Sequence, residues 1–201
     1  MHLIEDALKL WLALVRIATE YNESFHLLFP RISNLVCNMN WEHLRPCMLI
    51  LESYIFLGGE FFLNQYAAQV STMFLKTIGE VKVKAASCIM LSLDALMRKF
   101  PIQGTKMLVD GGVINKILKC CNDTIFEREA REPDVTLVQW MSVLARCFLA
   151  DRSMTEAAVL GAFDEADSVV DLFIGKFDSA GYGPGASGAA RRKLWVCNLT
   201  R

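Results

Sequence analysis

The sequence is poor in the features that announce chemistry. It has no surplus of either charge, with Lys+Arg 21 against Asp+Glu 22 over 201 residues and a formal net charge of −1. A generic nucleic-acid binder neutralises phosphates with a clear Lys/Arg excess, so that class is excluded. There is no C-x-x-C pair, and the three histidines, His2, His26 and His43, stand far apart with no metal or nucleophile signature around them. The seven cysteines, Cys37, Cys47, Cys88, Cys120, Cys121, Cys147 and Cys197, form an odd set scattered through apolar runs. They read as reduced, buried thiols of a cytosolic or nuclear protein. The opening residues, MHLIEDALKLW, lack a basic n-region and place Glu5 and Asp6 where a signal peptide is apolar. Secretion is therefore not expected.

What is present is apolar sequence, 53% of the chain. The densest run is CMLILESYIFLGGEFFL, residues 47–63. Glu52 near its middle and Gly58, Gly59 and Glu60 beyond it interrupt the unbroken apolar length that a bilayer span of about 20 residues requires. Membrane insertion is not expected. The run reads instead as two buried helices joined at Gly58-Gly59, where glycine tolerates the backbone reversal after a helix end.

Apolar residues recur at helical spacing almost throughout: Leu3, Ala7, Trp11, Leu14 and Ala18; Ala86, Ile89, Leu93, Leu96 and Phe100; Leu137, Trp140, Leu144 and Phe148. No comparable period-2 stretch appears, so the chain is expected to be all-α. Boundaries are predicted near residues 21–24, 38–40, 58–59, 79–82, 101–104, 122–133 and 151–153, giving about eight or nine helices. Pro30 is expected to kink or restart the second of these. Ser153 to Glu156, SMTE, matches a capping box that opens a further helix at AAVL. Strongly apolar helices centred near Leu10, Ile50, Leu91 and Met141 recur every 40 to 50 residues or so, about the period of HEAT and armadillo arrays. The expected fold is an α-solenoid of about four HEAT/armadillo-like antiparallel helix pairs over residues 1–178, in which stacking leaves inner helices apolar on more than one side. Residues 179–190, SAGYGPGASGAA, read as a flexible Gly/Ala-rich loop, and 191–201 as a basic, truncated C-terminal segment.

Three short matches to catalytic motifs lack their context. GPGASG, residues 183–188, fits G-x-G-x-x-G but follows no strand. DEAD, residues 164–167, has no phosphate-binding loop anywhere in the chain to partner it. GTK, residues 104–106, has Thr and Lys in the wrong order for such a loop. No enzyme and no cofactor is expected. Charge is distributed unevenly: residues 76–119 are mainly basic, whereas residues 153–180 carry Glu156, Asp164, Glu165, Asp167, Asp171 and Asp178 against Lys176 alone. On a helical array such stretches either line a partner-binding face or form a solvated outer one.

LIEDALKLWLALV, FPRISNLV, LRPCMLILESYIFLGGEFFLNQYA and, near the end, RRKL succeed one another in an order that resembles the C-terminal repeats of importin-eleven-type nuclear transport receptors of the importin-β (karyopherin-β) family. The resemblance covers most of the chain and is densest from Leu3 to Ala67. It implies a HEAT superhelix that carries protein cargo through nuclear pores, contacts nucleoporins, and shuttles between nucleus and cytoplasm. The N-terminal repeats that engage Ran-GTP in that family have no counterpart here, and RRKL is followed by WVCNLTR rather than another apolar helix. Because import cargoes are often basic, Glu156, Asp164, Glu165, Asp167 and Asp171 are the candidate cargo-facing patch. The alternative from a different class is a HEAT/armadillo scaffold with no transport role.

Overall fold

A computed structural model describes residues 2–38, 41–125 and 134–162. Every regular element among them is helical: α1 (His2–Ile17), α2 (Glu23–Asn38), a 3₁₀ turn (Trp41–His43), α3 (Leu44–Thr77), α4 (Val83–Lys99), α5 (Pro101–Asp110), α6 (Val113–Ile125), α7 (Asp134–Ala150) and α8 (Arg152–Ala162). The all-α expectation holds. Helices α1, α3 and α4 begin at residues 2, 44 and 83, a step of about 40 residues that suits an all-α repeat array of the HEAT type. Residues 163–201, which include the predicted glycine-rich loop and basic terminus, lie outside the described residues.

The chain divides into two compact units, residues 1–99 and the residues from Phe100 onward. In the first unit α3 is the hub: α1, α2 and α4 all pack against it. That explains why it buries residues on several faces, among them Cys47, Met48, Ile50, Leu51, Tyr54 and Ile55. It is the one helix among the described residues long and apolar enough to cross a membrane. Its buried residues, however, are the unit's core, and its helical geometry breaks at Gly59, where φ is 56° and ψ −144°. A Cβ on Gly58 would stand 2.5 Å from Phe62 Cβ, whereas residues four apart on a continuous helix hold their Cβ atoms about 5–6 Å apart. The chain thus folds sharply at the glycine pair, as the sequence predicts.

Local signals set the other boundaries. Asn22 caps α2, its Oδ1 accepting from the Phe25 N–H at 3.1 Å. Gly79, with φ 78°, turns the chain out of α3. Pro101 occupies the first turn of α5, where its missing N–H costs nothing. Two expectations are corrected. Helix α8 does not open with a capping box at Ser153: Asp151 is the cap, accepting from the Met154 N–H at 2.9 Å, and Glu156 pairs with Arg152 one turn back. Helix α2 does not restart at Pro30 but runs through it.

The reason lies in a neighbouring side chain. Proline at position 30 removes the N–H that would reach the carbonyl of residue 26. The Tyr66 hydroxyl, from α3, donates to that carbonyl at 2.6 Å. A tertiary hydrogen bond replaces the helical one, so α2 continues with its acceptor satisfied.

The second unit, within residues 100–162, packs α5, α6, α7 and α8 against one another. Its most apolar helix, α7, buries Leu137, Trp140, Met141, Val143, Leu144 and Cys147. The break between α5 and α6 at Gly111-Gly112, where Gly112 has φ 72°, is not among the predicted boundaries. The glycine pair that signals it is the same dipeptide that joins the halves of α3.

Candidate functional site

The most organised side-chain constellation is an aromatic cluster in the first unit. Phe29 of α2 sits fully buried at the centre, with ring centroids 5.3, 4.7 and 4.7 Å from Tyr54, Phe62 and Tyr66 of α3. Tyr21, Phe25 and Trp11 approach Tyr54 edge-on at 5.7, 6.0 and 6.5 Å. Edge-to-face geometry of this kind adds to the burial of the rings themselves. The polar ends are wired as well. Trp11 Nε1–H donates to the Tyr54 hydroxyl at 3.2 Å, and that hydroxyl donates to the Phe25 carbonyl at 2.9 Å.

His26 belongs to this network rather than to a metal or catalytic set. Its ring lies 5.2 Å from Tyr66 and 5.6 Å from Phe61. The Tyr66 hydroxyl commits its proton to the His26 carbonyl, so its contact of 3.0 Å with His26 Nδ1 is one in which the hydroxyl accepts. That places the ring proton on Nδ1. Burial raises the Tyr66 hydroxyl above its ordinary pKa of 10.0 and pushes Tyr54 to about 12. Both are protonated donors at neutral pH.

Three described thiols, those of Cys47, Cys88 and Cys147, are displaced away from the thiolate. Burial pushes Cys47 and Cys147 up to about 12, and in Cys147 a hydrogen bond with Thr105 opposes the shift only in part. A nucleophilic thiol requires the opposite displacement. Among the described residues no group of three or more His, Cys, Asp and Glu side chains is placed to hold a metal ion.

Of the predicted acidic patch, only Glu156 falls within the described residues; Asp164, Glu165, Asp167 and Asp171 lie outside them. Glu156 is on α8 and its Oε1 accepts from Arg152 Nε at 2.6 Å. Its charge is thus shared with a neighbour on the same helix. In the basic stretch, Asp94 and Asp110 are likewise engaged locally, with Arg98 at 2.7 Å and Lys106 at 3.0 Å.

Sequence reasoning missed the exposed apolar surface. On α1, Leu8 and Val15 face the core, yet Leu3, Leu10, Leu14 and Ile17 are 82%, 62%, 47% and 75% exposed. Leu27 of α2 and Phe61 of α3 are also exposed. The 4-3 spacing of the α1 set was legible, but periodicity alone does not tell a stripe that faces the core from one that faces outward.

Helices joined by tight turns around hub helices, recurring at a step of about 40 residues, define the class as an α-helical repeat protein. A family model described as "Importin-11-like, TPR repeats" matches residues 1–194, and the chain belongs to that family. Importin-11 of Mus musculus is 25% identical over 175 residues, covering 87% of this chain and 17% of the relative. Importin-11 of Homo sapiens matches over the same extent. The chain therefore spans 17% of the length of these curated relatives. No solved structure matches it.

Proposed function

We propose that the chain is a non-enzymatic, protein-binding part of a nuclear transport receptor. The observation that carries this reading is the match of importin-11-like repeats to residues 1–194, together with a core built of helix packing rather than around a reactive site. Its partners on this reading are protein cargo and the Phe-Gly segments of nucleoporins, and its location alternates between nucleus and cytoplasm. Exposed apolar side chains, Leu27 and Phe61 among them, suit the phenyl groups of such segments. The acidic residues Glu156, Asp164, Glu165, Asp167 and Asp171 are the proposed contact for basic cargo, acting mainly through steering and complementarity.

The test is direct binding of the purified 201-residue chain to a Phe-Gly-rich nucleoporin segment and to a basic nuclear protein. The second arm is repeated with the acidic residues replaced by Gln and Asn. Retention of both ligands, with loss of only the basic one in the neutralised variant, supports the receptor reading and the acidic patch together. A helical, monodisperse chain that binds neither ligand refutes the transport role and leaves the scaffold reading.

A further inference from the structure

We draw no further inference here: the strongest candidate, the exposed apolar surface patch that Leu3, Leu10, Leu14 and Ile17 form on the side of α1 turned away from α3, carries nothing further because nothing in the structure shows what covers it.

Discussion

The two units are built on different principles. In residues 1–99 the core is aromatic, and its tyrosines carry their polarity to defined acceptors: Tyr54 to Phe25, Tyr66 to His26. In the second unit the core is largely aliphatic, centred on Leu108, Ile114, Ile117, Leu118 and Leu144. There Thr136 Oγ1, Gln139 Oε1 and Trp140 Nε1 on α7 are buried without a hydrogen-bond partner. Directional bonds fix α2 on α3 in one register, whereas aliphatic packing fixes a volume and leaves more arrangements nearly equivalent. The first unit is therefore the better specified of the two, with Tyr21, whose hydroxyl is buried and unpaired, as its exception.

The largest expected effect is at the aromatic centre. Phe29→Ala removes a fully buried ring that touches Tyr54, Phe62 and Tyr66, and a cavity of that kind costs about 3–5 kcal/mol. The urea midpoint, followed by tryptophan fluorescence, should fall accordingly. A loss no greater than that of an exposed Leu27→Ala control would show that the cluster is not the keystone of its unit.

Next come the glycines at the break in α3, and the two differ in mechanism. At Gly58 a methyl group would meet Phe62 Cβ at 2.5 Å and the Tyr21 ring at 3.2 Å. Because a Cβ cannot swing away without its backbone, Gly58→Ala should cost about 1–3 kcal/mol. At Gly59 a Cβ meets nothing within 4 Å, but φ is 56° and ψ −144°, close to a region that essentially only glycine adopts, so Gly59→Ala carries the backbone penalty alone, about 1–3 kcal/mol. Equal stability of both variants and wild type would mean that the chain does not fold sharply here.

Smaller, and more diagnostic, is the bond that carries α2 past Pro30. Tyr66→Phe leaves the half-buried His26 carbonyl without the donor that proline denies it, at a cost of about 0.5–1.5 kcal/mol. In a Pro30→Ala background the restored N–H reaches that carbonyl, and the same substitution should cost less. A double-mutant cycle measures the coupling. Identical costs of Tyr66→Phe in both backgrounds would separate Tyr66 from the proline and return the continuity of α2 to another cause.

Most of the fold was legible because its signals are local. Gly58-Gly59, Gly79 and Pro101 stop or start helices through their own backbone chemistry. The continuity of α2 was not legible, because the group that satisfies His26 lies 40 residues away on another helix, and no rule about proline contains it. The capping box at Ser153 failed for a related reason: Asp151, two residues earlier, competes for the same N-terminus and is placed by its bond to Met154. The functional surface was least legible of all. Glu156 is an acid by sequence, but its ion pair with Arg152 is a property of the folded helix, and the exposure of Leu10 and Leu14 depends on which stripe of α1 the hub helix takes.

The smallest expected effect has the opposite sign. If the first unit gains definition by satisfying its polar groups, the second should gain stability by losing one that is not satisfied. Thr136 is fully buried and its hydroxyl has no partner; in folding it gives up hydration and receives nothing in return. Thr136→Val keeps the branched shape and removes the hydroxyl, so the urea midpoint should stay level or rise, by up to about 1 kcal/mol of stability. The corresponding change in the first unit, Tyr66→Phe, also deletes one hydroxyl from a buried ring and should lower it. Opposite signs for these two deletions would establish that the units differ in polar satisfaction. A loss of stability in Thr136→Val would show instead that its hydroxyl holds a bound water, and that both units are wired alike.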